Sequence, residues 1–374
     1  MMGFRSFVSL LCACFGLLVF VGGASAYDVT LTRTTGGMAN IQASTLSSAG
    51  FGSGYAQAQD GICTLAERYM TVSAERSRNL GPGSGNSNLN QDFFWQSLID
   101  DHTLEDMLAE PYPQGPSETA KRMAEGFAAG YNKYLSDIGG AEGITDPRCA
   151  DASWVRPITA TDVWRRLYQA TMLQGTNARV SQIATAQPPV GGGGGGAGVT
   201  PAGEPDVPGP ELGSNGLAIG EDDSADGSGL VIANPHFPWV GSERFWESHI
   251  DVPGQYHVIG ASLWGAPAII HIGHNQHVGW THTVSTNATT TSWRLQLDPA
   301  DPTRYMVDGQ SVPMSTTDVT VKSLEGGVLV DRTRRLYSSQ YGPILSSPAW
   351  TTSTATAFLD ANASNVRMVD QWLE

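Results

Sequence analysis

A serine at position 214 lies at an abrupt boundary in the sequence. Residues 187–213 (QPPVGGGGGGAGVTPAGEPDVPGPELG) are almost wholly Gly, Pro, Ala and acid, and an apolar stretch (SNGLAIG) begins at Ser214. If the Gly213–Ser214 bond were cut, Ser214 would carry a free α-amino group. The unperturbed pKa of such a group, about 7.7–8.0, suits a general base near neutral pH. One residue would then supply both a nucleophilic hydroxyl and its base.

The familiar partners of a nucleophilic serine are absent from the sequence. No serine has the G-x-S-x-G surroundings, and no H-E-x-x-H occurs. Gly213 lacks a Cβ, so we expect it to allow a strained backbone in which the Ser214 oxygen reaches the preceding carbonyl carbon. The alternative is that the Gly/Pro tract is a passive interdomain linker. The residues alone leave both interpretations open.

Several histidines lie close together after position 270 and suggest a competing zinc site. The segment HIGHNQHVGW is typical of a strand, a turn and a second strand, which would direct successive imidazoles to different sides. It also offers no nearby carboxylate or thiolate. We therefore expect no metal at these histidines, which are His271, His274, His277 and His282.

Composition excludes some classes of protein. Acidic residues outnumber basic ones 36 to 21, for a formal charge of −15, which disfavours binding to nucleic acid or to anionic membranes. The content of hydrophobic residues, 40%, is enough for a sizeable core. We predict a folded protein that does not bind nucleic acid.

The first 26 residues resemble a secretory signal peptide. Arg5 precedes an apolar run at 7–20, and Ala24-Ser25-Ala26 fits the small-x-small cleavage pattern. A membrane anchor is the alternative, but the run is shorter than the roughly 20 residues that span a bilayer. We therefore predict a secreted or periplasmic protein without a membrane anchor.

Two cysteines remain after removal of the signal. Cys63 and Cys149 form an even pair, and in an oxidising compartment we expect them to be bridged. Two buried free thiols are the alternative.

The pattern of apolar residues changes at the boundary. A β-hairpin around Gly36-Gly37 opens the chain after the signal, and residues 55–186 are mostly of helical period, with helices predicted over 55–80, 93–108, 118–135 and 160–184. After Ser214 short alternating runs predict strands. The fold class is therefore α+β.

Four blocks of sequence carry a resemblance to a known family. They are YAQAQDGICTLAERYMTVSAERSRNLGPG at 55–83, SNGLAIG at 214–220, ANPHFPW at 233–239 and IGHNQHVGWTHTVST at 272–286. In this order they resemble the penicillin acylase family. The resemblance implies the four-layer αββα sandwich of N-terminal nucleophile hydrolases.

The resemblance also implies a division of the chain. Residues 1–26 would be the signal peptide, 27–186 a mostly helical α-chain, 187–213 an excised spacer and 214–374 the N-terminal part of a β-chain. The α- and β-chains would form a heterodimer derived from one precursor.

Catalytic roles follow from the same resemblance. Ser214 would be the nucleophile, and the backbone N–H of Val284 would donate to the oxyanion. The family's second donor, an asparagine, is expected beyond residue 374, so the sequence is expected to stop within the β-chain. The aspartates that hold a structural calcium in some members are missing from Ser285-Thr286-Asn287-Ala288-Thr289, so no cofactor is expected.

The residue at position 236 bears on the substrate. Penicillin G acylases tend to have glutamine there, whereas acylases of acyl-homoserine lactones and of lipopeptides have histidine, as this chain does. His236 would orient the Ser214 amine; the alternative is a structural histidine in a turn. Aromatic residues that could line an acyl pocket, or simply form core, are Phe237, Trp239, Phe245 and Trp264.

The sequence therefore predicts a self-processing amidohydrolase that removes a fatty acyl group from an amide. The first choice of substrate is an N-acyl-homoserine lactone, followed by lipopeptide antibiotics and β-lactams. A secreted binding or structural protein with a Gly-rich linker remains the alternative.

Overall fold

The computed structural model of the chain describes residues 27–189, 213–284 and 289–374. The predicted signal peptide (1–26) and residues 190–212 of the predicted spacer lie outside these ranges. Across the described ranges, no helix has both the length and the apolar character needed to cross a bilayer.

The segment before the boundary is mostly helical, as predicted. Its helices are α1 (Leu46–Val72), α2 (Arg76–Leu80), α3 (Ser87–Asp100), α4 (Thr103–Ala109), α5 (Glu118–Asp137), α6 (Ala160–Thr171) and α7 (Val180–Thr185). Hydroxyl side chains start three of them: Thr45 caps α1, Ser117 caps α5, and Thr159 forms a capping box with Asp162 at α6.

Three of the four predicted helices are divided in the structure. The first breaks between α1 and α2 at Ala74 (φ 56°), and the second between α3 and α4 at His102 (φ 52°). The fourth ends at Thr171, and a 3₁₀ turn at Thr176–Arg179 precedes α7. A residue with left-handed backbone angles ends an α-helix, and glycine is the usual residue at such a position. Ala74 and His102 are not glycines, so their residue types do not mark these breaks in the sequence.

Glycines allow α1 and α5 to pack closely. A Cβ built on Gly54 would lie 2.1 Å from the Phe127 carbonyl oxygen, and one on Gly130 would lie 2.0 Å from the Phe51 carbonyl oxygen. The helix backbones therefore approach each other where any larger residue would collide with main chain. This explains why the Gly-rich start of α1, which the apolar period did not predict, is helical.

The first sheet has six strands and draws on both sides of the boundary. Its order is β1-β2-β5-β6-β7-β8. The strands are β1 (Val29–Arg33), β2 (Ala39–Ala43), β5 (Phe245–Val252), β6 (Tyr256–Leu263), β7 (Ile272–His274) and β8 (Gly279–Trp280). β2 pairs parallel with β5, so strands from before and after Ser214 share one hydrogen-bonded sheet. α1 packs against β2 and β5 of this sheet.

A second, seven-stranded sheet follows, in the order β11-β10-β9-β15-β14-β13-β12. Its strands are β9 (Thr290–Asp298), β10 (Asp301–Val307), β11 (Gln310–Pro313), β12 (Ser315–Glu325), β13 (Val328–Ser339), β14 (Gly342–Leu345) and β15 (Thr354–Asp360); the short helix α8 (Met368–Leu373) comes last. α3 and α7 cover β12 and β13 with Phe93 and Ala184, which meet Val319 and Val321 in a small core. Strands from both halves thus share the first sheet, and helices of the first half cover the second, so the predicted α+β class is confirmed.

The predicted disulfide is present between Cys63 on α1 and Cys149, with their Cα atoms 5.4 Å apart. Both cysteines lie in the buried core, so the bridge ties α1 to the connection between α5 and α6.

Substitution of Gly54 or Gly130 by alanine is expected to destabilise the protein. The added methyl group meets a backbone carbonyl that cannot move independently, and overpacking of this kind typically costs about 1–3 kcal/mol. Urea unfolding should show a lower free energy of unfolding for Gly54→Ala and Gly130→Ala. Gly36→Ala is the control, because its Cβ would have only one neighbour, at 3.9 Å. Equal stability of Gly54→Ala and Gly36→Ala would contradict the packing argument.

Candidate active site

Ser214 lies on a β-hairpin formed by β3 (Gly213–Ile219) and β4 (Leu230–His236). The strands are antiparallel, and their register pairs Gly213 with His236 and Ser214 with Pro235. Because the two strands pair over their full length across the connection at 220–229, the sequence motifs around Ser214 and around His236 are brought together at the open end of one hairpin.

The Ser214 hydroxyl is directed at the peptide bond that precedes it. Its Oγ donates a hydrogen bond to the Gly213 carbonyl oxygen at 2.5 Å. The hydroxyl oxygen therefore lies beside the carbonyl group that self-cleavage would attack. The side chain is half-buried.

The sequence led us to expect a strained backbone at Gly213, and the structure does not show one. Gly213 is part of a regular strand and does not have a positive φ. A Cβ on Gly213 would instead lie 3.0 Å from the Nδ1 of His236. The structure thus indicates a different reason for glycine at this position: it makes room for the imidazole across the hairpin.

His236 is exposed, and its ring lies against Gly213. Its Nε2 is 3.4 Å from the Asn234 Nδ2, at the long limit for a hydrogen bond. An imidazole in this position is close enough to interact with the peptide group that joins Gly213 and Ser214.

The segment that leads to Val284 runs beside the hairpin. A Cβ on Gly216 would be 2.8 Å from Thr281 Cγ2, and one on Gly279 would be 3.1 Å from Val231 Cγ2. The structure therefore brings the Ser214 hairpin and residues 279–283 together. Val284 is half-buried, and residues 285–288, which are four of the five positions from which the calcium-binding aspartates are missing, lie outside the described ranges.

The aromatic residues proposed for an acyl pocket do not form one cluster. Phe237 contacts Phe245 with a ring-centroid distance of 5.1 Å. Trp239 is 94% exposed, whereas Trp264 is 4% exposed and packs in the core against Gly61, with the Arg244 guanidinium 4.7 Å from its ring. Among the described residues, neither tryptophan makes a ring contact with the phenylalanine pair.

The histidines of the competing zinc interpretation have different surroundings. His271 is 1% exposed, whereas His274 and His277 are exposed on either side of the turn between β7 and β8. The His282 Nδ1 is 3.0 Å from the His271 carbonyl oxygen. Across the three described ranges, no group of three or more His, Cys, Asp or Glu side chains could hold a metal ion.

Buried polar residues on the helices were missed by sequence reasoning. The Gln57 Oε1 accepts from the Gly265 N–H at 2.8 Å, and its Nε2 donates to the Ala266 carbonyl at 3.2 Å. Arg166, on α6, donates to the Trp264 carbonyl at 3.0 Å. The sequence did contain a sign of these contacts, which is a polar residue on the apolar face of a predicted helix. A buried polar group requires a hydrogen-bond partner, so such a residue indicates a contact with another segment.

The α+β architecture of helices and sheets and the order of motifs agree with the fold of the N-terminal nucleophile hydrolases. The sequence model of one family with this fold, described as penicillin amidase, matches residues 28–374. The chain belongs to this family.

Characterised relatives include acylases of two kinds. The chain is 39% identical to aculeacin-A acylase of Actinoplanes utahensis, over 93% of this chain and 45% of the relative. It is 38% identical to acyl-homoserine lactone acylase PvdQ of Pseudomonas fluorescens (strain Pf0-1), over 91% of this chain and 44% of the relative. The chain thus spans about half the length of the curated relatives that it matches.

A solved structure with detectable similarity is the orthorhombic form of the thermostable penicillin G acylase from Alcaligenes faecalis. It is 17% identical, with a TM-score of 0.34, over 39% of this chain and 26% of that chain. This value is too low to support a comparison of the two folds.

The buried His271 is expected to make stability depend on pH. Burial, His282 and Arg166 lower the pKa of His271 to about 3, whereas an unfolded histidine has a pKa of about 6.5. The folded state therefore keeps His271 neutral, and this stabilisation, present above pH 6.5, is lost as the pH falls towards 3. The loss amounts to at most about 1.4 kcal/mol per pH unit.

Urea unfolding between pH 7.5 and 4.5 measures this effect. In a Ser214→Ala background, which keeps the chain in one piece if Ser214 cuts it, His271→Asn should lower stability at pH 7.5 and flatten its decline towards acid pH. An unchanged slope in His271→Asn would show that another group causes the pH dependence.

Proposed function

We propose that this chain belongs to a self-processing amidohydrolase in which Ser214 becomes the first residue of a new chain and the nucleophile. The observation that carries the proposal is the hydrogen bond from the Ser214 Oγ to the Gly213 carbonyl, at the open end of a hairpin that also holds His236. Membership of the penicillin amidase family supports it.

Self-cleavage would use the geometry of the intact bond. The Ser214 Oγ attacks the Gly213 carbonyl carbon, the Ser214 nitrogen leaves as an amine, and water hydrolyses the resulting ester. The products are a carboxylate at Gly213 and a free α-amino group at Ser214. A spacer covering roughly 187–213 would then be released, which leaves an α-chain and a β-chain as a heterodimer.

Catalysis on substrate would use the same hydroxyl with its new base. The α-amine accepts the hydroxyl proton as the Ser214 Oγ attacks the amide carbon, and then donates this proton to the leaving amine. The backbone N–H of Val284 would stabilise the oxyanion. Water, deprotonated by the same amine, releases the acid from the acyl-enzyme. His236 would orient the amine from its place beside Gly213.

The substrate class that we propose is a fatty-acyl amide. N-acyl-homoserine lactones come first, in agreement with histidine at 236 and with the relatives named as acyl-homoserine lactone acylases. A lipopeptide antibiotic is the second candidate, favoured by the similarity to aculeacin-A acylase. The Phe237–Phe245 pair, next to His236, is the part of the proposed pocket with a direct ring contact. The leader at 1–26 supports export to the periplasm or beyond.

Cleavage of the full-length protein is the first test. Intact mass and N-terminal sequencing should find a chain that begins Ser-Asn-Gly-Leu, and Ser214→Ala should remain in one piece without amidase activity. The control is Ser224→Ala, in the connection between the strands of the same hairpin, where the hydroxyl donates to Asp226 at 3.1 Å. A fully active wild-type protein that is still uncut at Gly213 would exclude the mechanism.

Position 236 should control substrate preference. The wild-type enzyme should cleave long-chain acyl-homoserine lactones faster than penicillin G, and His236→Gln should lower the ratio of the two kcat/KM values by about 10-fold. His277→Gln, which changes an exposed histidine in the β7–β8 turn, is the matched control. Faster hydrolysis of penicillin G by the wild type would refute the assignment of His236 to fatty-acyl substrates.

A further inference from the structure

The arginine at 166 is charged, buried and held by several partners. It is 1% exposed. Its Nε donates to the Trp264 carbonyl at 3.0 Å, and its Nη1 donates to Gln169 Oε1 at 3.2 Å. Its Nη2 donates to the Ser242 carbonyl and to Glu243 Oε2, both at 3.3 Å. A buried charge is tolerated only with such partners, so the guanidinium has one defined place.

The partners of Arg166 on the strand-rich side belong to two separate segments. Ser242 and Glu243 follow the sequence 236–239 and precede Phe245, which contacts Phe237. Trp264 opens a buried stretch that runs through residues 264–270 to β7, β8 and residues 281–284. One guanidinium thus touches the segment of the proposed acyl pocket and the segment that leads to the proposed oxyanion donor.

The contact on the Trp264 side is close. Gly265 has a φ of +88°, and a Cβ there would lie 2.7 Å from the Cγ of Arg166. The aliphatic part of the arginine therefore packs directly on the backbone of this turn, while its Nε holds the carbonyl of the preceding residue. Both parts of the side chain fix the position of the turn.

The contact on the Glu243 side is shared with a second arginine. The Arg68 Nη2 is 3.2 Å from Glu243 Oε1, and the Ser242 hydroxyl donates to the same oxygen at 3.1 Å. Burial opposes ionisation of Glu243, but Arg166 and Arg68 outweigh it and lower the pKa of this carboxyl. Glu243 is therefore a carboxylate held from both α1 and α6.

We infer that Arg166 is a positioning residue that sets the spacing between the acyl-pocket segment and the oxyanion segment, and that it does so from the part of the chain that precedes the spacer. The inference rests on the proposed function. A lysine cannot replace Arg166, because a single ammonium lacks the planar fork that reaches acceptors on two segments at once. A shift of about 1 Å between reacting groups can cost roughly 100-fold in rate.

Acyl-chain length separates positioning from general destabilisation. A long acyl chain is anchored in the pocket and transmits an error in spacing to the scissile amide, whereas a short chain can adjust its position. Arg166→Lys should therefore lower kcat on a dodecanoyl amide at least about 10-fold more than on a butanoyl amide with the same leaving amine. Loss of folded protein alone would reduce both rates by the same factor.

The neighbouring arginine provides a matched control. Arg165 lies on the same helix, and its Nη2 pairs with Glu105 at 2.7 Å. Arg165→Lys should leave the ratio of dodecanoyl to butanoyl kcat at its wild-type value. Glu243→Gln, which weakens the same contact from the other side, should change the ratio in the direction of Arg166→Lys and provides the readout if Arg166→Lys does not fold.

The outcomes distinguish this inference from the proposed function. An equal loss on both substrates in Arg166→Lys, or in Glu243→Gln where that variant provides the readout, overturns the positioning role while amidase activity of the wild type stands. A changed ratio in Arg165→Lys also overturns it, because the effect would then not be specific to Arg166. A wild-type protein that is neither cut at Ser214 nor active on any acyl amide overturns the proposed function and this inference with it.

Discussion

The geometry around Ser214 depends on the pairing of Gly213 with His236 across the β3–β4 hairpin. A slip of one residue in this register would turn every side chain of one strand to the opposite face. The Ser214 hydroxyl and the imidazole would then no longer share an end of the hairpin. Glycine permits the close contacts of this arrangement, because a Cβ at 213 would approach the imidazole to 3.0 Å and one at 216 would approach Thr281 to 2.8 Å.

The second constraint is the burial of residues 264–270, an irregular stretch within the core. Buried backbone groups require partners, and a strand ladder does not supply them here. Side chains from the helical half do so instead: Gln57 bonds to the backbone of Gly265 and Ala266, and Arg166 bonds to the Trp264 carbonyl. The conformation of this stretch is therefore fixed by residues more than 90 positions away along the chain. The path of the backbone towards β7 and β8 is fixed with it.

The pattern of neighbouring residues was sufficient to predict those elements that depend on alternation, helical period or turn residues. The β1–β2 turn at Gly36-Gly37, the span of α5 and the strand-turn-strand of β7 and β8 follow from alternation, period and turn residues. The breaks at Ala74 and His102 could not be foreseen, because tertiary packing places ordinary residues in the left-handed region there. The start of α1 was hidden for the opposite reason: its glycines suggest a loop, but close packing on α5 requires them.

The candidate site shows the same division between local and long-range information. The position of Ser214 could be read from a composition break and a motif, and the hairpin that joins it to His236 is a short-range structure. The role of Gly213 and the core environment of Trp264 could not be predicted from the sequence. Each depends on a residue that folding brings near. Arg166 was missed because its partners, such as Glu243, lie far away in the sequence.

The shared sheet also orders the events that the proposed mechanism requires. β2 precedes the spacer and β5 follows Ser214, yet they are hydrogen-bonded neighbours. The Cys63–Cys149 bridge lies wholly before the spacer, so it cannot hold the two parts together. Buried contacts such as Arg166 with Glu243, and Thr176 with Asp360, join them instead. In the proposed mechanism, a cut by Ser214 would therefore follow folding of the continuous chain, because the two parts already share a sheet and buried contacts.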